Sequence, residues 1–180
     1  MNHSLARPAI FLTALIAILL PSLALAADPS KAVQEHVGKL DQWFTVNEAA
    51  KLAGKPANEA KVEYLKSEKH PTTEVVDYSW KGGRTRMTTG AVKMKLPVAD
   101  SIKVGWLRRT TLQEMQDLRS YIDSEDLPEV GEFAILDKNG LQHIFFKKGV
   151  RFSVWVNISD DPAVNTAKAV ETARLLLAKL

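Results

Sequence analysis

The chain has 180 residues, no cysteine, 46% hydrophobic residues and a formal net charge of +3. The missing cysteines exclude disulfides, thiolate metal sites and thiol redox chemistry, so the core must hold by packing alone. A charge this small carries no whole-protein preference for nucleic acid or membranes.

In chain order, Arg7 precedes the apolar run Ala9 to Leu20. Pro21 and the small-residue triplet Ala24-Leu25-Ala26 follow. A basic start, short apolar core and A-x-A end are what a signal peptidase reads, so residues 1–26 are expected to be a cleaved signal peptide and the mature chain to begin at Ala27. An uncleaved anchor is the alternative, but twelve residues before a proline are short for a span. With no lipobox cysteine to acylate, the expected product is a soluble periplasmic protein, not a lipoprotein. Residues 27–180 fit one domain.

Lys31 to Leu40 has apolar residues at helical spacing, Val33, Val37 and Leu40. Thr45-Val46-Asn47-Glu48 is a capping box that starts a short helix, and Gly54 followed by Pro56 stops it. The middle third then alternates with period two. Val62 and Tyr64, then Val76, Tyr78 and Trp80, then Val92, Met94 and Leu96, then Ile102, Val104 and Trp106 predict four strands. Gly82-Gly83 reads as a two-residue hairpin turn, which would set Trp80 opposite Thr85 and Arg86 diagonal to Asp77. If Leu96 to Ser101 turns the chain back, Lys93, Lys95 and Lys103 could line one surface with Arg84 and Arg86.

Thr111-Leu112-Gln113-Glu114 is a second capping box, opening a helix with Leu112, Met115, Leu118 and Ile122 on one side. Past Pro128 come three short strands, Glu132 to Lys138, Leu141 to Lys147 and Val150 to Ile158, the first two joined by Asn139-Gly140. Asp161 caps a last helix with Pro162 at its first position and a stripe of Ala163, Ala167, Val170, Ala173, Leu177 and Leu180.

If both turns of this meander are two-residue loops, one sheet face carries Ala134, Leu136, His143, Phe145, Val150, Phe152, Val154 and Val156 and is core. The other carries Phe133, Ile135, Ile144, Phe146 and Trp155, too apolar for an ordinary wet face. Either a helix covers this candidate patch or a ligand does.

Charge is segregated. From Lys81 to Arg109 eight basic residues face one acid, and from Thr110 to Asp137 eight acids face Arg119 alone. The candidate basic binding surface is Arg84, Arg86, Lys93, Lys95, Lys103, Arg108 and Arg109, suited to phosphate, lipid headgroups or an acidic protein. The competing readings are a solvated strand face and pairing with the protein's own acidic helix.

No catalytic signature occurs: no G-x-S-x-G elbow, P-loop or H-E-x-x-H. His36, His70 and His143 lie far apart without ligand spacing, and His143 reads as a core residue. Glu125, Asp126 and Glu129 read as a wet loop rather than as paired catalytic carboxylates. No cofactor and no metal site is expected.

The strings Gly131-Glu132-Phe133-Ala134 and Lys147-Lys148-Gly149-Val150-Arg151-Phe152-Ser153-Val154, followed by an Ala-rich helix, resemble the ending of small exported proteins related to the photosystem II oxygen-evolving P protein and the Mog-like sandwich. Phe44 to Gly54 is similar to the short first helix of that architecture. The resemblance implies an antiparallel sheet between helices and an accessory or binding module without catalysis, and it carries over no active site. The expectation is therefore an α+β sandwich with an antiparallel sheet of about seven strands. Its expected role is non-enzymatic binding of another protein or an anionic ligand, with no nucleic-acid partner and no stable membrane insertion. An inhibitor or immunity protein is the alternative, a small hydrolase is less favoured, and the oligomeric state is left open.

Overall fold

Local capping starts each longer helix. In the computed structural model, which describes residues 38–66, 73–87, 93–127, 130–138 and 141–180, Thr45 Oγ1 accepts from the Glu48 amide and the Thr45 amide donates to Glu48 Oε2 at 2.8 Å. The same reciprocal pair joins Thr111 and Glu114. These boxes open α2 (Val46–Ala53) and α3 (Leu112–Tyr121), and Gly54 closes α2 in the left-handed region. A single turn, α1 (Leu40–Trp43), precedes them, and α4 (Pro162–Leu177) begins at Asp161, whose carboxylate accepts from the Ala163 amide. The helix expected over Lys31 to Leu40 and the signal segment fall mostly or wholly outside the described residues.

The strands are β1 (Lys61–Lys66), β2 (Thr73–Met87), β3 (Lys95–Arg108), β4 (Ser124–Asp126), β5 (Phe133–Asp137), β6 (Gln142–Lys147) and β7 (Val150–Asn157). They form one antiparallel sheet in the order β1-β2-β3-β7-β6-β5-β4. This is the α+β sandwich expected. The seven strands are reached with a different membership, however.

Among the described residues the middle third holds three strands, not the four expected. Gly82-Gly83 is not a turn: β2 runs straight through it, and the ladder to β3 slips between Trp80, opposite Asp100, and Arg84, opposite Val98. Residues 81–83 thus face Ala99 alone. Neither glycine has the positive φ that a primed hairpin turn demands. What Gly82 supplies is clearance, since a Cβ there would lie 2.1 Å from the Val98 carbonyl oxygen. Arg86 consequently pairs with Leu96, far from Asp77, whose partner is Lys103 at 2.9 Å. The condition that Leu96 to Ser101 turns the chain back is not met, because those residues lie inside β3. The seventh strand is β4, so Glu125 and Asp126 form a short edge rather than a loop.

Two layers of helix bury the sheet. On one face α1, α2 and α4 cover Val76, Tyr78, Trp80, Ile102, Val104, Trp106, Phe145, Phe152 and Val154. Trp43 packs on Trp106 with ring centroids 5.9 Å apart, and Phe44 meets Tyr78 edge-on. The buried line of α4 is Ala169, Thr172, Ala173, Leu176 and Leu177. That is a rotation from the expected stripe, with Ala163 and Ala167 exposed. Thr172 can join it because its hydroxyl donates to the Lys168 carbonyl at 2.8 Å within the helix.

Candidate functional site

The apolar face of the meander is the first candidate, and it is closed. The register matches the two-residue-loop arithmetic, with Leu136 opposite His143 and His143 opposite Val154. Beneath α3, Met115 is buried with Ile135, Ile144 and Phe146, while Leu118, Ile122 and Phe133 pack around them. Trp155 stands apart from this cluster, half-buried across Gly105. Of the two readings of this face, the covering helix holds for Phe133, Ile135, Ile144 and Phe146: helix α3 occupies the place a ligand would take. A run of four buried residues, His143 to Phe146, belongs to a strand covered on both sides.

The basic residues are not one surface. Arg84 is an internal clamp: its Nε donates to Asp100 Oδ1 at 2.8 Å, and its other nitrogens reach Asp160 Oδ1 and the Asn157 carbonyl. Lys103 is tied to Asp77, and Arg109 lies beyond β3 with φ 64°. Lys95 and Arg108, the two ends of β3, are ~40 Å apart along the strand at about 3.3 Å per residue. The described ion pairs do not join the basic and acidic blocks either. Asp126 pairs with Arg119, and Asp123 approaches Lys138.

What remains is an arm. Ser79 is the last β2 residue opposite β1, and Ser101 is the first β3 residue opposite β7. Beyond them β2 and β3 continue as a two-stranded ribbon reaching ~20 Å past the sheet, at about 3.3 Å per residue. Residues 81–99 contain no acid. Lys81, Arg86, Lys93 and Lys95 are exposed there, and so are Met87 (46%), Met94 (53%) and Leu96 (46%). In the two paired positions nearest the tip, Arg86 faces Leu96 and Met87 faces Lys95. Each pair therefore sets a cation beside an apolar side chain, and successive pairs point to opposite faces of the ribbon.

The arm is fastened at its root. Asp100, 3% exposed, takes Arg84 on one oxygen and Lys55 Nζ on the other at 2.6 Å. Burial alone would raise this carboxyl, but the two cations outweigh it and hold the pKa below the usual carboxylate range. Asn157 Nδ2 adds a bond to the Ala99 carbonyl. A shallow hollow of about 420 Å³ lies beside the bulge, lined by Lys81, Gly82, Pro97, Val98 and Ala99. The sequence signal for all this is the acid-free basic run; the arm's projection has no local signature.

Among the described residues no three His, Asp or Glu side chains converge to hold a metal ion. His143 is buried with Nε2 3.1 Å from Thr166 Oγ1, and burial lowers its pKa against the opposing pull of the Val154 backbone. Glu74, fully buried, accepts from the Gly38 and Leu40 amides and from the Tyr64 hydroxyl, anchoring the chain before α1 to the sheet. Burial and Glu74 together push the Tyr64 phenol up to about 12. Both are structural arrangements.

No protein-family model matches the chain, and neither a curated protein nor a solved structure is similar to it.

Proposed function

We propose that this is an exported, non-enzymatic binding or accessory protein that works by contact, and that the β2–β3 arm is its contact element. The observation that supports this reading most is the arm itself: basic and acid-free, tipped with exposed methionine and leucine, and clamped at its root by Arg84 and Asp100. A ribbon held out from the body in this way spends exposed apolar surface that folding alone does not require. Its charge suits an acidic protein surface or an anionic ligand. Export rests on the pattern of residues 1–26; no helix among the described residues is long and apolar enough to cross a membrane.

The test has two parts. N-terminal sequencing of the protein from a periplasmic fraction should find Ala27 first. Crosslinking of the mature chain in periplasmic extract that retains envelope membranes should give protein or lipid adducts that disappear when Arg86, Lys93 and Lys95 are changed together to Ala. Adducts that persist unaltered in that variant would remove the arm from the contact.

A further inference from the structure

Resting on that contact reading, we infer that the arm docks the protein on an anionic phospholipid surface, with Met87, Met94 and Leu96 at the headgroup layer and Arg86, Lys93 and Lys95 on lipid phosphates. The distribution of side chains around the ribbon carries this. A flat protein surface would meet one face of the ribbon and leave the other wet, and protein–protein interfaces are depleted in the lysine that this arm carries. Here Leu96 with Arg86 points one way and Met87 with Lys95 the other, and Met94 is exposed just beyond. A bilayer interface surrounds an entering tip on all sides. It accepts apolar side chains from both faces while flexible cations extend to the phosphates.

Charge agrees with geometry. Lys81, Arg86, Lys93 and Lys95 are exposed, without an ion pair among the described residues, and no acid lies between residues 81 and 99. Each cation brought to an anionic leaflet strengthens binding about fivefold. The ~20 Å reach of the ribbon, at about 3.3 Å per residue, lets its outer described residues touch lipid while the body stays in water. No spanning element is needed. The root clamp on Asp100 keeps the ribbon extended, so little ordering is left for the moment of binding.

Cosedimentation of the mature chain with vesicles tests this. Binding to phosphatidylglycerol mixed into phosphatidylcholine is expected, with none to phosphatidylcholine alone and weakening as salt rises. Arg86→Ala with Lys93→Ala and Lys95→Ala should lower partitioning about 100-fold, and Met87→Ser with Met94→Ser about tenfold at unchanged charge. Lys39→Ala with Lys51→Ala and Arg174→Ala, equally cationic losses elsewhere on the surface, should change it less than about threefold. Inorganic phosphate should not compete; competition would show a free-phosphate site instead and overturn the lipid assignment. Equal binding to both vesicle types, or equal loss in the two charge variants, also overturns it. If vesicles fail but an acidic protein is captured in an arm-dependent way, the lipid inference falls and the contact reading stands. Failure of both removes both. Unfolding midpoints of the exposed-site variants confirm that each remains folded.

Discussion

Arg84 and Asp100 bridge the bulge in the β2–β3 ribbon, Nε to Oδ1 at 2.8 Å, with side chains 16% and 5% exposed. The pair sits where the sheet ends and the arm begins. Because Arg84 also bonds the Asn157 carbonyl at 2.7 Å, a strand that is not its neighbour in the ladder fixes the arm's direction. The root of the arm is a stability element, and its outer residues Arg86, Met87 and Lys93 to Leu96 are the exposed ones.

Asp100→Asn should destabilise the fold by about 3 kcal/mol, because Arg84 and Lys55 lose a buried counter-charge. Urea unfolding measures this. A change under about 0.5 kcal/mol would mean that solvent replaces the carboxylate and that the clamp does not hold the arm.

Acid should destabilise the protein in two steps. Burial keeps the His143 pKa below its ordinary value, so the unfolded chain takes a proton first, and stability is lost as pH falls below about 6.5. Asp100 and Glu48 are held below their usual values, Glu48 by Lys179 and Thr45 against its own burial. Their contribution is complete above about pH 4 and fades as pH falls through the lowered folded values. His143→Gln, which can still reach Thr166, should flatten the first step and leave the second. Unfolding free energies across pH 3–8 distinguish them.

Met115→Ala should cost about 3 kcal/mol, since Met115 is 1% exposed at the centre of the α3 contact with Ile135, Ile144 and Phe146. Thr111→Ala, which removes only the cap, should cost about 1 kcal/mol. The larger loss should come with increased binding of a hydrophobic dye. No increase in dye binding would argue that α3 is not what shields that face.

The glycine pair separates bulge from turn. Gly82→Ala should destabilise by about 2 kcal/mol because the added methyl collides with the Val98 carbonyl. Gly83→Ala, with open space around it, should be neutral or stabilising by about 0.5 kcal/mol. Equal and large penalties at both positions would restore the hairpin turn.

Residues that act on near neighbours were legible in the chain itself. Thr45 with Glu48 and Thr111 with Glu114 span three residues, so a capping box in the sequence is a capping box in the structure. The β5-β6-β7 register was legible for a similar reason, since short loops leave the pairing little freedom. The same logic misread Gly82-Gly83, because a turn and a bulge use glycine for different reasons and only the opposing strand tells them apart.

By itself, then, the sequence determined the helix caps, the alternating faces of the β5-β6-β7 meander and the concentration of positive charge between Lys81 and Arg109, all properties of spacing along one chain. Tertiary structure decided which charges remain on the surface and which apolar face is covered. Arg84 leaves the basic surface because its partners lie 16, 73 and 76 residues away. Ile135, Ile144 and Phe146 leave the solvent-exposed surface because α3 folds across them. Such contacts depend on where distant segments meet in space, which no local pattern encodes, and they reduce a seven-residue basic surface to the projecting arm.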